Sequence, residues 1–148
     1  MFSLGSRKNQ EKVRRFMSRF INQGSMARIK VPDQGRIENR VDMNVGVWVA
    51  PMLNRRPDVD RAFRAITKNF TTSGVGLFVD HDVPFESVLV RLVSEDQAMF
   101  LRCDVVDSTS LGSNFYLIGL KVDDIVPSSD FSELEKLENL LNEYQTVE

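Results

Sequence analysis

Hydrophobic positions along this chain change period twice. In RKNQEKVRRFMSRFINQ, Val13, Phe16, Met17, Phe20 and Ile21 recur at the three-and-four spacing of an amphipathic helix, with basic residues on the remaining faces. Gly24 predicts its end. From Val41 the period becomes two. Val41, Met43, Val45, Val47 and Val49 alternate with Asp42, Asn44, Gly46 and Trp48, which predicts a half-buried strand closed by Pro51. A polar loop, MLNRRPDVD, then leads to a second strand from about Ala62 to Asn69. Further strands are predicted at 75–79, 87–94, 98–107 and 114–122, separated by the turn-rich pieces HDVP, SEDQ and STSLGSN. After Pro127 the helical period returns, with Ser128, Ser129 or Asp130 as the cap and Phe131, Leu134, Leu137, Leu140, Leu141 and Tyr144 as the apolar stripe.

Short strands at regular spacing with turns between them predict a mainly β fold, a small antiparallel barrel with a basic amphipathic helix before it and an acidic one after it. The boundaries expected are an N-terminal helical extension at 1–29, a barrel at 30–127 and a C-terminal helix at 128–148, one structural domain in all. A chain of 148 residues is long enough to bury an ordinary core. Its 42% hydrophobic and 27% charged content are those of a soluble globular protein, and disorder is not the default.

Charge is unevenly spread. The net of −2 divides into ten Lys or Arg against three acids over residues 1–40, and one Lys against eight acids over 123–148. A basic first quarter implies an anionic partner or an acidic segment of the same chain, and the tail is such a segment. No apolar run reaches the roughly 18 residues of a membrane span. The start, MFSLGSRKNQEKVRR, lacks the apolar region of a secretory signal, and a cytoplasmic protein is predicted. The one cysteine, Cys103, excludes an internal disulfide or a Cys-based zinc cluster and reads as a buried small hydrophobe.

Catalysis finds few candidates. His81 stands between Asp80 and Asp82, but neighbours at a strand end point apart, and a solvated turn is expected in place of a metal site. H-x-x-E-H, G-x-S-x-G and Walker spacings do not occur. The GVG at 74–76 precedes a strand, the wrong context for a dinucleotide loop. No enzyme and no metal are expected.

One stretch carries more polar groups than its structure needs. In KNFTTSGVGLFVD, Asn69, Thr71, Thr72, Ser73 and Gly74 crowd a turn for which a glycine and one Asn would suffice. Ahead of it, GRIENR places Arg36 and Arg40 four residues apart, just before the first strand. Arg15 and Arg19 share that spacing, but inside the first helix they read as a solvated face.

Arg36-x-x-x-Arg40, a strand, and then Asn69-x-Thr71-x-x-Gly74 leading into the next strand resemble the signature of the PilZ domain. That family is a small six-stranded β-barrel of bacterial cyclic di-GMP receptors, with Arg-x-x-x-Arg followed by Asp or Asn-x-Ser-x-x-Gly. FYLIGLKVDDI at 115–125 is similar to the family's last barrel strand. Threonine replaces serine at 71, and Val122 stands where an aromatic is more usual. The resemblance covers about residues 30–126.

The resemblance implies a six-stranded barrel and a non-catalytic receptor that binds cyclic di-GMP through Arg36, Arg40, Asn69, Thr71 and Gly74, with no cofactor. Gly24, Pro32 and Gly35 lie near the arginines between the first helix and the first strand, so a loop ordered by the ligand, a first helix drawn to a new position and an unidentified downstream protein that reads the change are expected. Elementary chemistry agrees: arginine's planar fork suits both a phosphate and a guanine edge, and an amide and a hydroxyl add donors and acceptors. Two alternatives stay open. One is a PilZ-like interaction module that binds no nucleotide. The other is a small barrel binding RNA or DNA through its basic segment, for which Trp48 is the one stacking candidate. The last helix either packs on the barrel or pairs in a homodimer.

Overall fold

The computed structural model describes residues 4–24 and 40–146. Helix α1 spans Leu4–Gly24; the strands are β1 Val41–Asp42, β2 Gly46–Leu53, β3 Arg56–Pro57, β4 Phe63–Phe70, β5 Gly74–Val79, β6 Ser87–Ser94, β7 Gln97–Gly112 and β8 Phe115–Val126; helix α2 spans Ser132–Thr146. The strands β4, β5, β8, β7, β6 and β2 lie side by side, all antiparallel, and β2 pairs again with β4. Six strands thus close into a barrel, the fold class that the patterning predicts.

Alternation decides what faces inward. On β6, Val88, Val90 and Leu92 enter the barrel core, whereas Leu89 joins a separate cluster outside it with Phe100, Val126, Leu134 and Leu137. That second cluster is where α2 docks. Arg91, outward beside Leu89, forks onto Glu138 of α2, with Nη2 donating to Oε1 at 2.9 Å. Helix α1 instead adds Val13, Met17, Phe20 and Ile21 to the barrel core itself. The Phe20 ring lies 5.1 Å from that of Phe70, at the end of β4. Burial of side chains of this size contributes about 1.5–3 kcal/mol each. Polar contacts tie the middle and the end of α1 as well: Lys12 Nζ donates to the Ile125 carbonyl at 2.8 Å, and Gln23 reaches Glu95 and Ser94 at the β6–β7 turn.

The long alternation from Val41 to Val49 proves to be two strands. The register shifts between Asp42–Asn69 and Gly46–Ile66, so residues 43–45 form a kink that stays bonded to β4, Met43 N–H donating to the Lys68 carbonyl at 3.1 Å and Thr67 N–H to the Val45 carbonyl at 2.9 Å. Thr67, the one buried polar side chain among the described residues, fills the gap. Its hydroxyl donates to the Met43 carbonyl at 2.7 Å and accepts from the Val45 N–H at 2.8 Å. Asn44 Nδ2 closes the kink by donating to the Thr67 carbonyl at 2.9 Å.

Several boundaries differ from expectation. Pro51 does not end its strand; β2 runs on to Leu53, with Pro51 opposite Val88. MLNRRPDVD is a tight hairpin in place of a loop, because Asn54 and Arg55 both adopt positive φ and pair Leu53 with Arg56. STSLG belongs to β7, and the turn is the pair Ser113–Asn114, again at positive φ. The strand β8 likewise runs four residues beyond 122, to Val126. The capping expected of Ser128, Ser129 or Asp130 does not occur: these form a 3-10 turn, and the carbonyl of Phe131 accepts the first helical bonds, from Leu134 and Glu135. In the α2 stripe Leu134 and Leu137 are buried, but Leu140 is exposed and the Tyr144 side chain lies outside the described residues.

The unexpected β2–β3 hairpin grips α2. Arg56 pairs bidentately with Glu133, at 2.7 and 2.6 Å, and lies over the Phe131 ring. The hydrogen bonds from Arg56 hold the Glu133 carboxyl down to about 2.

Two outcomes follow for stability. Thr67→Val keeps the shape but strands the Val45 N–H and the Met43 carbonyl, and denaturant unfolding should show a loss of about 2–3 kcal/mol. Thr67→Ser should stay within about 1 kcal/mol, and a Val variant as stable as wild type would dismiss the role of the hydroxyl. For Glu133, a lowered carboxyl contributes stability above its ordinary value near 4.3 and loses it as pH falls towards 2. The melting-temperature advantage of wild type over Glu133→Gln should therefore be present at neutral pH and vanish across that acid range.

Candidate functional site

Four of the five sequence-selected residues line one cleft. Arg40, Asn69, Thr71 and Gly74 surround a surface hollow of about 390 Å³, together with Lys68, Gly76, Val106, Asp107, Leu117 and Gly119. Arg36 lies outside the described residues. That volume falls within the roughly 300–1,000 Å³ usual for small-molecule sites.

Register explains how the cleft is built. Asp42 faces Asn69, Asn69 faces Gly76, Gly76 faces Gly119, and Gly119 faces Asp107, a continuous row across β1, β4, β5, β8 and β7. Paired residues share a face of the sheet. Val75 and Leu77 on either side of Gly76 are buried inward, so this row lies on the outer surface. Its centre, the floor of the cleft, carries two facing glycines, overhung only from the borders: by the Asn69 amide at Gly76, and by Asp107 and Val106 at Gly119.

Two β-bulges raise the walls. On β4 the register with β5 shifts between Thr67 and Asn69, and both Lys68 and Asn69 turn outward. On β7 it shifts between Val105 and Asp107, and both Val106 and Asp107 turn outward. Bulges of this kind re-aim side chains beside ligand sites. Arg40 reaches the cleft by the kink at 43–45, since the pairing of Val41 with Phe70 sets the preceding residue beside Thr71.

The cleft is polar and mixed in charge. Arg40 and Lys68 stand on one wall, Asp107 on the other. The side chains of Arg40, Lys68, Asn69 and Asp107 make no hydrogen bond or ion pair among the described residues. Asn69 Oδ1 would lie 2.7 Å from a Cβ at Gly76, so its amide rests over the floor. Thr71 is partly engaged, its hydroxyl accepting from the Ser73 N–H at 3.3 Å and its own N–H donating to the Gly74 carbonyl. Gly74 has a packing reason of its own. A Cβ there would sit 2.8 Å from the Leu120 carbonyl oxygen, and its φ is not left-handed.

No family model matches the chain, and no curated protein matches it. Among solved structures, the chain is similar to the Bacillus subtilis inhibitor of motility MotI/DgrA, with 17% identity and a TM-score of 0.46 over 74% of this chain and 53% of that one. The chain spans about half the length of that structure. The site is therefore read from its own residues.

Other candidates fall elsewhere. His81 is exposed, bonds Asp80 at 2.9 Å and stacks edge-on against Phe63, and that bond holds the Asp80 carboxyl below its usual range. No group of three metal-ligating side chains occurs among the described residues. Cys103 is fully buried, and burial pushes its thiol up, out of reach of neutral-pH chemistry. Trp48 sits outside the barrel as its phase requires, but the Arg64 guanidinium lies 5.8 Å over its ring and covers that stacking face. No helix among the described residues is long and apolar enough to cross a membrane.

Sequence reasoning missed Lys68, Gly76, Val106, Asp107 and Gly119. Breaks of phase were the signal. Thr67 and Phe70 are both buried three residues apart, and Val105-Val106 interrupts an alternating run.

The two glycines of GVG should respond differently to alanine. Gly74→Ala meets backbone that cannot yield and should cost about 1–3 kcal/mol in denaturant unfolding. Gly76→Ala presses only on the far end of Asn69, with Lys68 Cβ at an ordinary 3.8 Å, and should cost less than about 1 kcal/mol while swinging that amide off the floor. Equal losses at both positions would contradict this account of the floor.

Proposed function

We propose that this chain is a non-catalytic receptor for cyclic di-GMP, an adaptor that passes the arrival of the dinucleotide to a downstream protein. One observation carries the reading: Arg40, Asn69, Thr71 and Gly74 meet at one cleft, where the side chains of Arg40, Lys68, Asn69 and Asp107 make no hydrogen bond or ion pair among the described residues. These are the positions that resemble the PilZ signature, with Arg36 assigned to the same ligand by that pattern alone.

The chemistry of the cleft suits such a ligand. Cyclic di-GMP presents two phosphates and two flat guanines. Arg40 offers a bidentate fork and Lys68 a point charge for a phosphate. A guanine ring reaches the peptide planes of Gly76 and Gly119 once the Asn69 amide and the Asp107 side chain turn back from the space that a Cβ would fill. Asn69 supplies a donor and an acceptor beside it, and the Thr71 hydroxyl keeps its proton free to donate.

A second reading, an interaction module, has one observation in its favour. Ile66 and Phe115, 53% and 52% exposed, flank an apolar hollow of about 320 Å³ on the outer wall with Phe78 and Arg64. An adaptor needs a surface of this kind whether or not it binds nucleotide.

Titration calorimetry with cyclic di-GMP separates the two. Micromolar or tighter binding is expected, weakened at least tenfold, about 1.4 kcal/mol, by Arg36→Ala and by Arg40→Ala. Absence of heat at tens of micromolar nucleotide would leave the interaction module as the reading.

A further inference from the structure

We infer that Asp107 selects guanine in this cleft, its carboxylate accepting from the N1–H and the 2-amino group of one base. The inference rests on the reading of the cleft as a cyclic di-GMP site, and it concerns a residue outside the sequence signature.

Position comes first. A bulge turns Asp107 outward onto the cleft, and its Oδ2 would lie 3.8 Å from a Cβ on Gly119. It borders the floor opposite Asn69. The strands β4, β5, β8 and β7 set the two walls three spacings apart, about 14 Å from backbone to backbone, and the Asn69 and Asp107 side chains lean inward over Gly76 and Gly119. That span admits one nucleotide lying across the floor, sugar-phosphate at one wall and base edge at the other.

Charge then sets the orientation. Both cations that line the cleft, Arg40 and Lys68, stand on the Asn69 side, with Asp42 beyond Asn69 in the same row, and the one carboxylate that lines the cleft stands on the far side. A phosphate is drawn to the first wall and repelled by the second. With the sugar-phosphate held there, the base projects across Gly76 and Gly119. The edge farthest from its glycosidic nitrogen faces Asp107. In guanine that edge is a donor pair, N1–H and the 2-amino group, matched by the two acceptor oxygens of a carboxylate. Adenine offers a bare N1 acceptor and no 2-amino group, which sets lone pair against lone pair.

The freedom of Asp107 completes the case. It has no ion-pair or hydrogen-bond partner among the described residues, although Lys121 lies on the next outward row, opposite Asp104. An acid in an anion-binding cleft weakens phosphate binding unless it repays that repulsion elsewhere, and a base edge with two donors is where it does so.

The test is calorimetry of the full chain with cyclic di-GMP, cyclic di-AMP and cyclic di-inosine monophosphate, which lacks only the 2-amino group. Wild type should bind cyclic di-GMP at least tenfold more tightly than the inosine analogue and should not bind cyclic di-AMP at tens of micromolar. Asp107→Ala should weaken cyclic di-GMP at least tenfold and bring the guanine-to-inosine ratio within about threefold. Asp107→Asn, of the same shape, should show the same collapse of selectivity with an unchanged melting temperature, and it decides the matter if the Ala variant folds poorly. An Asp107→Ala protein that binds cyclic di-GMP as well as wild type, or more tightly, would overturn the inference and mark the carboxylate as mere repulsion. Wild type that binds no cyclic di-GMP would instead overturn the reading of the cleft, and this inference with it.

Discussion

A single buried hydroxyl organises the end of the barrel on which everything else depends. Thr67 sits where β4 changes partners, from β2 on one side of the kink to β1 on the other. A kink exposes backbone groups, and inside a barrel such groups are costly unless paired. The hydroxyl supplies both a donor and an acceptor, to Met43 and Val45, and the backbone of residue 67 bonds Val45 as well. A valine could fill the space but could not satisfy the bend. The direction of β1, and with it the placement of Arg40, follows from that one oxygen.

The cleft is a consequence of imperfection in an otherwise regular sheet. A barrel of perfect alternation presents a convex outer wall with one outward residue at every second position. Here two bulges give each flank two adjacent outward residues, and two glycines hollow the strip between them. The result is concavity on a surface that should bulge. Mixed charge follows from the same arrangement, since β4 contributes Lys68 to one wall and β7 contributes Asp107 to the other.

Where alternation is strict, the strands were legible in the sequence: β6 runs from Ser87 to Ser94, as expected. Both helices were legible from their stripes. The errors cluster where local conformation overrides composition. NRR and GSN read as loop because they are polar, yet residues that tolerate positive φ make them tight hairpin turns. The site was half legible. Arg40, Asn69, Thr71 and Gly74 stand out by spacing, whereas Lys68 and Asp107 look like ordinary surface charges until a bulge turns them onto a common floor. Gly74 entered as a ligand contact, and its clearest physical reason is the approach of the Leu120 carbonyl. Register is a property of two strands at once, and no single segment announces it.

The end of β4 places two opposed environments on consecutive residues. Asn69 looks out over the cleft floor, while Phe70, fully buried, presses its ring against Phe20 of α1. Interiors packed this closely have little compressibility and pass strain along. A single peptide bond thus separates a side chain that hangs over the cleft floor from one packed against the first helix.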